Sequence, residues 1–224
     1  MLRVILFSIL LSLLFTGGCK KCDCPEPPLS GTFTLKLKPG AEGKDVMVAS
    51  ISPNTPGPND SRLFLMAGTW SGTPGVCRAY LQFDYSRIPA KAVINSAILT
   101  LYADTTDVGI ASFPNGHSDS SGPNDWYINH VTSNWAESTL TWSTQPTSDG
   151  VGQINMPGTS NPKETYTVDV TDFVKDEFAN PTKYHGIMMR LETEGFYRGI
   201  MFCSSDHPNN TLHPSLDVTY TITQ

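Results

Sequence analysis

The chain has 224 residues, 39% of them hydrophobic and 16% charged, with 18 glycines, 17 prolines and a formal net charge of −6. That balance describes an ordered globular protein rich in turns, long enough to bury a sizeable core without relying on disulfides. The acidity argues against nucleic acid as a partner, since such proteins carry a basic footprint.

Residues 1–18 begin with Arg3, continue as the apolar run VILFSILLSLLF and end in Thr16, Gly17 and Gly18. The run is 12 residues long, against the roughly 20 that a spanning helix needs, so it reads as a secretory signal. Gly-Gly-Cys resembles the lipobox of bacterial lipoproteins. Cys19 is therefore the expected lipidation site, and the expected location is the bacterial cell envelope, anchored to the outer membrane through lipid alone, periplasmic or surface-exposed. Residues 19–32 form a polar, Pro-rich tether, and residues 33–224 a single domain.

From Phe33 the signals are almost all strand. Phe33, Leu35 and Leu37 alternate with Thr34, Lys36 and Lys38; Val46 and Val48 share a face; RLFLMAG follows the loop SPNTPGPNDS. The strongest stretch is Arg78 to Tyr102. In its first half Ala79, Leu81 and Phe83 alternate with Arg78, Tyr80, Gln82 and Asp84. In its second half Val93, Ala97, Leu99 and Leu101 take one face while Ile94, Ile98 and Tyr102 make the other apolar too, which predicts a strand covered on both sides. A long irregular excursion follows over 103–124. Strands are then expected at DWYINHV, NWAESTLTW and Tyr166 to Val170. TDFVKDEFAN is the one convincing helix, with Val170, Phe173, Val174 and Phe178 on one face and Asn180-Pro181 as its stop. GIMMRLE, RGIMFCS and SLDVTYTI close the chain. Short strands without alternating helices predict an all-β fold, an antiparallel β-sandwich of jelly-roll type with one short helix. Cys77 and Cys203 read either as small core residues on separate strands or as a bridge.

Several motifs agree in order and spacing with one family. KDVMVASISPNTPGPNDSRLFLMAG, RAYLQFDYSRIPAKAVINSAILTLYA, NWAESTLTW with Pro146, VDVTDFV, HGIMMRL and PSLDVTY together resemble the DNRLRE-type domain, also called carbohydrate-binding module family 96. The resemblance covers about Phe33 to Ile222. It implies a secreted jelly-roll module, alone or attached to polysaccharide-degrading enzymes, with alginate among the ligands of its members, and no catalysis.

Sugar binding needs aromatic rings for pyranose faces and polar groups for hydroxyls. Trp135 and Trp142 sit inside a framework motif and read as packing residues. Trp70, Trp126 and Tyr127 flank Gly- and Pro-rich loops, Tyr197 and Arg198 lie at a strand junction, and Arg62 opens a strand after a long loop; these are the expected ligand contacts. Arg78, Tyr80 and Gln82 form an outer stripe, a platform if that face is open and otherwise ground for the 103–124 excursion to cover. Jelly-roll modules often hold calcium, for which Asp45, Asn59, Asp60, Asp104 and Asp107 are the loop oxygens that would have to converge; no other cofactor is expected. The five histidines form no H-E-x-x-H motif, and Glu137 and Asp169 are the only carboxylate pair worth weighing for glycoside hydrolysis. The expected function is non-catalytic binding of extracellular polysaccharide. Its rivals are a structural or adhesive lipoprotein with a protein partner, and a small polysaccharide lyase or hydrolase.

Overall fold

The computed structural model describes residues 30–58, 60–106 and 116–223, so the expected signal segment, Cys19, Cys22 and Cys24 lie outside the described residues. Alternating apolar residues between turn signals give strands β1 (Gly31–Leu37), β2 (Gly43–Ala49), β3 (Arg62–Trp70), β4 (Thr73–Phe83), β5 (Val93–Leu101), β6 (Trp126–Val131), β7 (Ser148–Met156), β8 (Tyr166–Asp169), β9 (Ile187–Leu191), β10 (Arg198–Cys203) and β11 (Ser215–Ile222). The helix α1 (Thr171–Ala179) lies between β8 and β9. All pairings are antiparallel. One sheet runs β1-β11-β5-β8; the larger runs β10-β3-β4-β9-β6-β7, with β2 also paired to β4. The first strand lies beside the last and sequence-distant strands interleave, as in a jelly-roll sandwich.

The inward faces of the two sheets meet in one core. Leu65, Ala79, Leu81, Ile128, Met189 and Phe202 of the larger sheet pack against Leu37, Ala97, Leu99, Val168, Leu216 and Val218 of the smaller. The helix is tied to β5 by an exchange of bonds: Val170 N–H donates to Ala97 O at 2.9 Å and Ala97 N–H donates to Thr171 Oγ1 at 2.9 Å. Asp169 starts the helix by accepting from Thr171 N–H at 2.9 Å, and Phe173 and Val174 then enter the core.

Three expectations change. β5 is not covered on both sides: its pairing with β11 slips at Asn95, which turns Ile94 inward with Ala97 and leaves Val93 exposed and Ile98 half-exposed. The Arg78–Tyr80–Gln82 stripe is covered, but by residues 134–145 rather than by the excursion. Trp135, Leu140 and Trp142 pack on Tyr80, Val46, Val48 and Met188, and Tyr80 Oη donates to Gln145 Oε1 at 2.8 Å. The described ends of the excursion instead pair along β10, Ala103 with Phe202 and Ser118 with Gly199. That covering segment is not a strand; it forms two 3-10 turns, Glu137–Thr139 and Trp142–Thr144. Thr141 and Thr144 bond each other's backbone N–H, each at 3.1 Å, and these local bonds compete with a ladder. Cys77 and Cys203 are, as one of their two readings had it, small core residues on separate strands, both free and buried. They sit opposite Met66 and Arg62 of β3, an offset of about 13 Å along that strand, beyond the reach of a disulfide.

Candidate functional site

The expected ligand residues do not form one surface. Trp126 is a core residue, 1% exposed, because β6 lies between β9 and β7 and turns it inward. Its ring meets Tyr166 edge-on at 5.3 Å and Phe202 at 5.5 Å. Tyr127 faces the other way but is buried beneath the Arg190 guanidinium at 4.7 Å. Glu194 joins Arg190 at 3.6 Å to Arg78 at 2.7 Å, closing a polar ladder over that face. Trp70 and Tyr197 lie near the same end of β3 but on opposite faces of the strand, since Tyr197 reaches Thr69 while Trp70 packs with Met66 and Cys77. Tyr197 Oη bonds Thr69 Oγ1 at 2.8 Å, and the Trp70 ring lies so flat on Gly75 that a Cβ there would come within 2.6 Å of it. Phe196 and Tyr197 are exposed at 44% and 36%, with ring centroids 6.3 Å apart, and Tyr197 holds a left-handed φ of 60°. Arg198 is spent on the carbonyls of Pro123 at 3.1 Å and Ser121 at 3.0 Å. Arg62 lies at the opposite end of β3, ion-paired to Asp104 at 2.9 Å and to Asp60 at 3.8 Å.

Of the oxygens expected to gather calcium, Asp60 and Asp104 share the Arg62 guanidinium, while Asp45 is engaged elsewhere. Asp104 accepts from Arg62 Nε and from Thr106 N–H at 2.7 Å. Asp45 accepts from Ser205 N–H at 2.8 Å and from its hydroxyl, and burial pushes its pKa up to about 6. Asn59 and Asp107 lie outside the described residues. The Glu137–Asp169 pair does not form either: Glu137 accepts from Asp45 N–H on a turn over the larger sheet, and Asp169 ends β8 of the smaller.

A different group of side chains converges. A cleft of about 530 Å³ opens between the β4–β5 connection and the C-terminal half of α1, lined by Gln82, Asp84, Tyr85, Ser86, Glu177, Phe178 and Tyr184 among others. Asp84 fixes the connection, accepting from Ser86 N–H at 2.8 Å and Ser86 Oγ at 2.9 Å. Tyr184 is held by a stack: it lies 4.2 Å from the His130 ring, itself 3.8 Å from Phe173. Lys183 Nζ donates to Tyr184 Oη at 2.6 Å. Burial pulls the His130 pKa down, against the Asp176 carboxylate 3.6 Å away, so the stack holds a neutral imidazole near neutrality.

Glu177 gives the cleft its chemistry. It is 6% exposed. Tyr85 Oη donates to its Oε2 at 2.8 Å, while Oε1 is buried without a hydrogen-bond partner. Burial pushes its pKa up to about 7; the Tyr85 bond and the backbone N–H of Gly186 oppose this. Burial and the adjacent Glu177 raise the Tyr85 phenol well above its ordinary value, so it stays a donor. Aromatic walls around a carboxyl with a spare oxygen suit a ring that is apolar on its face and hydroxylated at its edge. Sequence reasoning missed these residues. Phe178 read as core, Tyr85 and Tyr184 drew no reading, and the one available signal was Glu177 standing on the apolar side of the helix, four residues after Phe173.

No curated protein matches the chain. The family model for carbohydrate-binding module family 96 matches residues 41–220, which contain β2 to β10, the helix, the cleft and most of β11. The chain belongs to that carbohydrate-binding family.

Proposed function

We propose that the protein is a non-catalytic polysaccharide-binding module of the bacterial cell envelope, tethered through a lipid on Cys19, and that it seats a sugar residue in the cleft beside α1. The observation that carries this reading is the unpartnered Oε1 of Glu177 within aromatic walls. A buried acceptor without a partner is costly, and a sugar hydroxyl would supply the missing donor once the side chains that seal Oε1 from solvent move aside. Asp84 and Glu177 are the acidic residues of the lining and the chain is acidic overall. An uncharged glycan therefore fits better than a polyanion such as alginate.

The test is retardation of the purified protein in gels containing uncharged or polyanionic polysaccharides, repeated with Phe178→Ala and Glu177→Gln. Retardation by an uncharged glycan that both variants lose is the expected result. A wild-type protein that no glycan retards would sink the binding reading; variants retarded as strongly as wild type would sink the cleft. The exposed Phe196–Tyr197 pair is the rival position for the same ligand, and Phe196→Ala separates the two. Loss of retardation in that variant alone moves the site to the rim beside Trp70 and Arg198.

A further inference from the structure

Asp104, Cys203 and His207 each present one ligand atom, and the three atoms lie within 4.8 Å of one another. Their closeness is built by the backbone. Asp104 N–H donates to Met201 O at 3.1 Å and Cys203 N–H to Tyr102 O at 2.9 Å, which fixes the start of the excursion against the end of β10. The turn after β10 returns His207, whose N–H donates to Ser204 O at 3.3 Å. Asp104 is 2% exposed and Cys203 fully buried, while His207 is half-buried at the mouth.

We propose that this trio is a binding site for a thiophilic divalent transition metal of the zinc class. Thiolate, imidazole and carboxylate together select such ions over calcium or magnesium, which take oxygen ligands. Three protein ligands leave a fourth tetrahedral position for water. The surrounding bonds suit outer-shell support. Asp104 is oriented by Arg62 Nε at 2.9 Å and Thr106 N–H at 2.7 Å, and a carboxylate has lone pairs to spare for a metal. His207 Nδ1 lies 3.1 Å from Asn209 N and 3.3 Å from Asn209 O; the tautomer in which Nδ1–H donates to Asn209 O is the one that leaves the Nε2 lone pair free for an ion. Burial holds the Cys203 thiol protonated, with its pKa up to about 12; the metal takes the place of that proton, which passes to solvent. The site shares no residue with the cleft, so it stands apart from the glycan reading.

The experiment is titration of the purified full chain with cobalt(II), then zinc(II), under reducing conditions, with Cys19, Cys22 and Cys24 replaced by serine so that those thiols give no signal. The expected result is a thiolate-to-cobalt charge-transfer band saturating at one ion per chain, discharged by zinc and retained in Cys77→Ser. Cys203→Ser abolishes the band, and His207→Ala weakens binding by at least about tenfold. His207 is half-buried in a turn, so its variant keeps the test valid if Cys203→Ser does not fold. No band in the parent protein overturns the proposal, as does a band that His207→Ala leaves unchanged.

Discussion

Replacing Glu177 with glutamine should flatten the pH dependence of stability. An unfolded Glu titrates near 4.5, whereas burial moves the folded group up to about 7. Between these values the native state keeps a proton that the unfolded chain has released. Stability therefore falls as pH rises through this window, being unaffected below about 4.5 and carrying the whole cost above about 7. That interval corresponds to roughly 3 kcal/mol. A glutamine side chain cannot ionise, so Glu177→Gln lacks this slope. An amide left with an unbonded N–H adds a constant penalty of about 1–3 kcal/mol, which cancels when each protein is compared with itself at two pH values. Asp45, whose pKa is also raised by burial, to about 6, slopes the same way in both proteins and cancels too. In urea unfolding at pH 5 and pH 8, the wild-type protein should lose roughly 2–3 kcal/mol more than the variant. Equal losses would show that Glu177 is not held protonated, and would remove the basis for its role in the cleft.

Trp126→Ala should cost about 3–5 kcal/mol through the cavity it leaves beside Tyr166 and Phe202; a midpoint shift well below that would mean the core collapses to fill the site. Arg62→Ala should cost about 3 kcal/mol by leaving the Asp104 carboxylate buried and without its ion pair. Arg62→Lys should recover only part of this, because the planar guanidinium of arginine aims Nε at Asp104 in a way that an ammonium cannot reproduce; equal stability of the two variants would count against a directed bond.

What the sequence disclosed depended on whether a residue's role was local. β4 shows its period of two because one side faces the core, and α1 is legible because Phe173 and Val174 line a stripe that Asn180 and Pro181 end. β7 was missed: it is an edge strand of Ser148–Met156 with most of its side chains exposed, and only Ile154 and Met156 near its end pack on the core, too short a stretch to show a period of two. NWAESTLTW misled for the opposite reason. Its large apolar residues do enter a core, the second one over Tyr80, yet they do so from turns that the Thr141–Thr144 bonds close. The cleft and the metal-ligand trio were illegible on principle. Tyr85 meets Glu177 only because α1 docks on β5, and Asp104 reaches His207 only because the chain beyond β5 runs back along β10.

The same Glu177 proton predicts how binding responds to pH. Tyr85 already donates to Oε2, so a proton on the carboxyl sits on Oε1, the oxygen turned to no partner. Below pH 7 Oε1 can act as a donor to a sugar oxygen; above it the ionised group is an acceptor only. A hydroxyl donating to a carboxylate makes a charge-assisted bond about twice as strong as its neutral counterpart. The bound sugar therefore favours the ionised form and lowers the carboxyl pKa, and affinity must rise with pH through the region around 7 by the same linkage that governs stability. An advantage of about 1.4 kcal/mol for the charged bond would give about a tenfold rise between pH 5.5 and 8.5. Calorimetric titration with the retarding glycan across that range measures it. Glu177→Gln should bind weakly and without a pH trend. A flat wild-type profile, or a trend that survives in Glu177→Gln, would show that the sugar does not use this oxygen, and would leave the aromatic rim at Phe196 and Tyr197 as the surface that does the binding.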